Sequence, residues 1–187
     1  MTQTEDRSAF HLLGHPLPAI IDLDSTAGGT VDLFILSLSK PVLLFLYPQS
    51  TSSAALLASY AQHLPPLRRI EPDLHIFGLS TQPHAEQLHD VAKHDIPFPL
   101  LSDEHRQLTQ ALDIPTVPAQ GSTSVFKHLT LLLNGGQITR IDFPIDRPEE
   151  AAVRALRLLV SEEELMRQVE ERDAKAAAAA AAATAQA

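Results

Sequence analysis

The chain has 187 residues, 44% of them hydrophobic and 5% aromatic, with a formal net charge of −9 and no cysteine. That size and apolar fraction suit one domain with a core of Leu, Ile, Val and Ala, in which Phe34, Phe45, Phe77 and Phe98 fill the larger spaces. The acidic balance, without a Lys/Arg cluster, argues against a nucleic-acid or anionic-membrane partner. The missing sulfur excludes disulfides, thiolate metal sites and thiol catalysis together.

No apolar window approaches the roughly 18 residues that a membrane span needs. Met1–Phe10 is polar and lacks a signal-peptide pattern, so the default expectation is a cytoplasmic protein, with the nucleus left open. Residues 1–11 read as a flexible N-terminus, 12–160 as one domain, and 161–187 as a helix-prone tail, first acidic and then alanine-rich.

After the turn-rich Gly14–Pro18, Ala19–Leu23 reads as a short strand that enters a hairpin through Ala27-Gly28-Gly29, and Thr30–Leu38 as the apolar segment that follows. Pro41–Tyr47 (PVLLFLY) is continuously apolar, which predicts a central strand covered on both faces. Ser52 or Ser53 is placed to cap a helix over Ala54–Leu64, whose stripe is Leu56, Leu57, Tyr60, Ala61 and Leu64; Pro65-Pro66 is expected to end it.

Leu74–Leu79 reads as a second strand, followed by a helix capped by Thr81 with Ala85, Leu88, Val91 and Ala92 on its inner face. After Phe98–Leu101, Ser102-Asp103-Glu104 is expected to open a helix through Leu108, Ala111 and Leu112, which the Pro-rich loop Ile114–Ser124 stops. Lys127–Leu133 and Gln137–Phe143 flank Asn134-Gly135-Gly136, a hairpin signal because such turns require positive φ. Asp146 and Pro148 start a last helix with Val153, Leu156, Leu159 and Val160 facing inward. Ser161 and Glu164 form a capping-box pattern ahead of the alanine run Ala176–Ala183. Strands alternating with helices, then a hairpin and a helix, predict a three-layer α/β/α sandwich with a mixed central sheet.

Several segments in this order resemble the peroxiredoxins of the AhpC/TSA group, nearest the PrxQ, or bacterioferritin comigratory protein, branch. They are Leu13–Leu23 with Gly28-Gly29 and Val31-Asp32-Leu33, then Leu44–Pro48, Phe77–Ser80, and Phe98–Asp103 (FPLLSD). The resemblance spans about residues 12–160 and implies a thioredoxin-like fold. It also implies a reactive position: such proteins carry T-P-x-C after the strand ending in Tyr-Pro. The thiolate is activated by helix amides and an Arg, while the Thr and Arg orient the peroxide.

Here that stretch is Tyr47-Pro48-Gln49-Ser50-Thr51-Ser52-Ser53-Ala54-Ala55. Anchoring on Thr51 puts the cysteine position at Ala54; counting from Tyr47-Pro48 without a gap puts it at Ala55. A resolving cysteine five residues later would fall at Ser59 or Tyr60, and the Arg maps to Lys127 or His128. The resemblance therefore implies a cysteine-less peroxiredoxin-like protein without thiol peroxidase activity, keeping fold and pocket for binding. Two alternatives are a repurposed enzyme using this pocket for non-redox chemistry and a Cys-substituted form of a thioredoxin-dependent peroxide reductase.

Other chemistry has weaker support. His84, His89 and His94 are spaced by five, about 140° apart on a helix, and cannot share one face. A hydrolytic Ser52 or Ser53 served by His128 or Lys127 lacks a nucleophile-elbow sequence and an orienting acid. Amides of Thr51–Ala55 with Lys127 could hold a small polar or anionic ligand. The expectation is no metal and no cofactor, a small ligand or protein as partner, and a monomer or dimer.

Overall fold

The computed structural model describes residues 6–48, 51–118 and 124–160, with side chains at all of these but 51 and 52. The capping-box pattern and alanine run of 161–187 lie outside the described residues, as does the middle of the Pro-rich loop.

The elements in chain order are β1 (Asp22–Ser25), β2 (Thr30–Asp32), α1 (Leu33–Ser37), β3 (Val42–Leu46), α2 (Thr51–Ile70), β4 (His75–Ser80) and α3 (His84–His94). They continue with β5 (Leu100–Ser102), α4 (Gln107–Ala111), β6 (Thr116–Pro118), β7 (Ser124–Phe126), β8 (Leu129–Asn134), β9 (Gln137–Asp142) and α5 (Ala151–Leu159). Seven strands form one mixed sheet in the order β2-β1-β5-β4-β3-β8-β9; β3, β4 and β5 are parallel and the other pairings antiparallel.

β3 is buried at every residue, as its unbroken apolar run predicts. Alternate residues feed two cores. Val42, Leu44 and Leu46 pack with Leu129, Leu131, Leu133, Leu108 and Leu112, while Leu43, Phe45 and Tyr47 pack with Leu56, Tyr60, Leu64, Ala151 and Ala155. Helices on both faces of a mixed sheet give the α/β/α sandwich expected of the thioredoxin-like fold. The β8–β9 hairpin turns at Gly135 and Gly136, both at positive φ, as the Asn-Gly-Gly signal requires.

Five local expectations need correction. The first strand starts at Asp22 rather than Ala19, because Ile20 adopts φ +64 and cannot lie in an extended ladder. Its N–H donates to Asp32 Oδ2 (3.1 Å), and its side chain is 90% exposed.

Pro65-Pro66 does not end α2, which runs to Ile70. An interior proline costs about 3 kcal/mol, and the turn beyond it carries Leu67, fully buried, whose burial returns roughly 1.5–3 kcal/mol. α3 is preceded by Pro83 rather than capped by Thr81, and turns Gln87 inward, leaving Leu88 44% exposed.

The helix after Asp103 starts at Gln107. The Asp103 carboxylate nevertheless caps it from a distance, accepting from Leu108 N (3.2 Å), Thr109 N (2.8 Å) and Thr109 Oγ1 (2.5 Å). On α5 the buried residues are Ala151, Ala152 and Ala155; Val153 faces out, and Leu156, Leu159 and Val160 are half-buried.

Ala9 is fully buried and Phe10–Leu12 form a 3-10 turn against the sheet.

Gly78 sits where β4 passes under Phe45 and beside β5. A Cβ there would come within 2.8 Å of Leu100 Cδ2 and 2.9 Å of the Phe45 ring. Gly78→Ala is expected to lower the unfolding free energy by about 1–3 kcal/mol, read as a lower urea midpoint at unchanged slope.

Candidate functional site

β3 delivers the chain to the C-terminal edge of the parallel strands, where open α/β sheets present their sites. Tyr47 and Pro48 continue the strand and are buried, and the Tyr47 N–H donates to the Leu79 carbonyl (3.1 Å). α2 then opens at Thr51. The buried Ser53 hydroxyl donates to the Pro48 carbonyl, drawing the first turn of the helix onto the strand end. The side chains of Thr51 and Ser52 lie outside the described residues.

The two alternatives for the reactive position occupy different sides of α2. Ala54 shares a face with Ala58 and Ala61, and with Leu57, His94 and Ile96 these residues line a small cavity of about 130 Å³ beside α3. Ala55 shares a face with Ser59, whose hydroxyl donates to the Glu149 carbonyl (2.8 Å) and accepts from Ala152 N (3.3 Å). Ala55 is therefore on the α5 side, and both alanines are exposed.

The positions expected for a resolving cysteine are structural. Ser59 ties α2 to the start of α5. Tyr60, fully buried, stacks on Phe45 at 4.0 Å between centroids, and its hydroxyl meets Thr130 Oγ1 at 2.7 Å. Burial drives the Tyr60 phenol well above its ordinary range.

Lys127 and His128 stand beside the end of β3, because β8 begins at Leu129 opposite Leu46. They serve different sides of the sheet. Lys127 pairs with Asp6 (Oδ2, 2.7 Å), donates to Ser8 Oγ (3.0 Å) and lies over the Phe143 ring at 5.9 Å, all on the side away from α2. His128 has the parity of Thr130, whose hydroxyl meets Tyr60 of α2, so alternation places it on the α2 side. Burial lowers its pKa, leaving the imidazole neutral at pH 7.

A network that sequence reasoning missed surrounds Tyr47. Gln87, fully buried on α3, donates through Nε2 to the Leu101 carbonyl (2.7 Å) and Ser80 Oγ (2.9 Å), with the Tyr47 hydroxyl at 3.5 Å. Ser80 donates to Gln82 Oε1 (3.1 Å), and Gln82 Nε2 to Asp90 (3.1 Å). Gln87 Oε1 and His84 Nδ1 are buried without hydrogen-bond partners among the described residues. Burial pushes the Tyr47 phenol up to about 12, so it remains a neutral hydroxyl. The only sequence signal for this network is a glutamine at a position that faces the sheet once the helix register is known.

The histidine groupings do not assemble. Among the described residues, no three His, Asp or Glu side chains are arranged to hold a metal ion. No helix among them is long and apolar enough to cross a membrane.

A thioredoxin-like sheet whose central strand leads into the start of a long helix has the peroxiredoxin-type fold. Residues 13–147 match the AhpC/TSA family, and the chain belongs to that family. Solved structures agree in fold. A cysteine-to-serine mutant of PrxQ from Xylella fastidiosa superposes with a TM-score of 0.68 at 20% identity, covering 79% of this chain and 94% of that one. Reduced Prx3 from Vibrio vulnificus in complex with hydrogen peroxide gives 0.67 at 19% identity, covering 79% and 98%. Peroxidoxin BcpB from Mycobacterium tuberculosis gives 0.64 at 20%, covering 80% and 98%. No curated protein matches the chain.

The Lys127 contacts hold the Asp6 carboxyl down at about 2, through hydrogen bonds from Lys127 and Ser8. Because the folded-state value is depressed, the contact contributes fully above the ordinary Asp range and is lost as pH falls through about 2. An NMR titration of the Asp6 carboxyl carbon is expected to show that midpoint, and Lys127→Met to return it to the ordinary range.

Proposed function

We propose that this family member performs no thiol peroxidase chemistry and uses the retained fold and the vacated strand end to bind a small polar ligand or a protein partner. The observation carrying this reading is that the sulfur and its electrostatic partner are both missing. The chain has no cysteine, Lys127 is committed to Asp6 on the far side of the sheet, and His128 is neutral by burial. A peroxidatic thiolate needs a neighbouring positive charge to form and to orient the peroxide, and neither candidate supplies one.

The side assignments favour Ala55 as the former cysteine position, since it lies on the α5 flank of α2, toward β8 and His128. A hydrolytic role gains no support, because the Ser53 proton is engaged by the Pro48 carbonyl. Binding in the cytoplasm, as monomer or dimer, belongs to the same proposal.

Purified protein is expected to consume no hydrogen peroxide above background with dithiothreitol or thioredoxin; turnover would overturn the reading. The positional argument has its own test. Ala55→Cys alone should react with peroxide no faster than a free thiol. Combined with His128→Arg it should react at least about tenfold faster, whereas Ala54→Cys with His128→Arg should gain nothing. Equal rates for both double variants would remove the assignment to Ala55.

A further inference from the structure

The β8–β9 turn places a labile side chain next to the amide that can attack it. Asn134 closes the ladder opposite Gln137, and Gly135 and Gly136 make the turn at φ +60 and +76. In an Asn-Gly pair the side-chain carboxamide and the following backbone nitrogen approach most easily, because glycine has no Cβ to keep them apart. Asparagine is among the chemically labile residues for this reason.

The fold treats the two groups differently. Asn134 is exposed, and its carboxamide forms no hydrogen bond with a described residue. The Gly135 N–H, by contrast, donates to the Ser37 carbonyl at the end of α1 (2.8 Å).

α1 meets the turn through more than this one bond. Gly136 packs against it: a Cβ there would come within 2.9 Å of Phe34 Cε2 and 3.2 Å of Leu38 Cδ2. Ser37 is fully buried, and its hydroxyl donates to the Phe34 carbonyl (3.0 Å). From the other side the Leu17 N–H donates to the Gly136 carbonyl (2.9 Å). The turn is thus clamped between α1 and the segment that precedes β1.

That clamp acts on the nucleophile and leaves the electrophile free. Attack on Asn134 Cγ requires the Gly135 nitrogen to lose its proton and its peptide plane to turn toward the side chain. A proton shared with the Ser37 carbonyl is harder to remove, and breaking that bond without a replacement is costly. A peptide held on both sides of the turn is also harder to rotate.

We infer that Asn134 is a deamidation site held latent by α1. When α1 lifts from the turn, hydroxide takes the Gly135 N–H proton and the nitrogen attacks Asn134 Cγ. An N–Cγ bond forms, the Cγ–Nδ2 bond breaks, and Nδ2 leaves as ammonia after taking a proton from water. Water then opens the succinimide at either carbonyl, giving aspartate or isoaspartate, so the net reaction consumes one water and releases one ammonia. Either product puts a carboxylate at the turn, and isoaspartate also lengthens the backbone by a methylene, which breaks the Asn134–Gln137 register. Because β8 is one of the two partners of β3, the reaction marks chains whose α1 has come away and hinders their return. The turn lies at the opposite end of β8 from Lys127 and His128, so this site stands or falls independently of the reading above.

Full-length protein incubated at mildly alkaline pH and sampled for peptide mapping by mass spectrometry tests the inference. Asn134 should persist in the folded protein and convert at least about tenfold faster in the same chain unfolded in urea. Phe34→Ala, with its fold checked by circular dichroism, should speed conversion in buffer and, in parallel, hydrogen exchange at the Gly135 amide. Leu38→Ala, at a more exposed position of the same contact, should act in the same direction and serves where Phe34→Ala fails to fold. Gly135→Ala should suppress conversion in urea, since a Cβ then stands beside the attacking nitrogen. Equal rates in folded and unfolded chain would overturn the inference, as would no conversion in urea. Faster Gly135 exchange in the α1 variants without faster conversion would overturn it too.

Discussion

The structure depends on the burial of β3 from both sides. A strand whose residues are all inaccessible to water must find apolar partners above and below it and hydrogen-bonding partners at both edges, because unpaired buried backbone groups are costly. β4 and β8 satisfy the edges, and the two cores satisfy the faces. With that strand fixed, its exit at Tyr47-Pro48 and the start of α2 are fixed with it. The candidate site therefore has a fixed place in the fold although the chain has no cysteine.

The strand end and the helix beyond it are held by packing and hydrogen bonding. Ser59 stitches α2 to α5, Tyr60 joins α2 to β8, and Ser53 is bound back to the strand end. A fully buried Gln87 gathers Ser80 and the Leu101 carbonyl into one polar cluster around Tyr47. Such a cluster is costly wherever an atom is left unsatisfied, and Gln87 Oε1 is such an atom. The strand ends are thus held by polar contacts that impose a defined geometry, a property that binding requires as much as catalysis does.

The central strand, the β8–β9 hairpin and the sandwich were legible because each is announced by an uninterrupted local pattern: a continuous apolar run, two glycines in a turn, alternating elements. What was not legible depended on tertiary context. The two prolines in α2 carry a strong local stop signal, yet Leu67 beyond them has a place in the core. α3 has an apolar stripe on paper, but the surface it meets is a set of strand ends carrying the Ser80 hydroxyl and the Leu101 carbonyl, both of which accept from Gln87.

The most consequential illegible feature was a single step of parity. Lys127 and His128 are adjacent in sequence and both near the end of β3, but adjacent residues in extended chain face opposite layers. Lys127 goes to Asp6, whose partnership 121 residues away no spacing rule reveals. His128 is half-buried, and burial lowers its pKa. One residue of position thus separates a cation held at Asp6 from an imidazole whose pKa burial lowers. On the proposed function, the absence of thiol peroxidase chemistry is more than the deletion of one sulfur atom that a single substitution would reverse. Lys127 is paired with Asp6 and burial lowers the His128 pKa, so a reactive thiol at this strand end would need a change of charge as well as a sulfur atom.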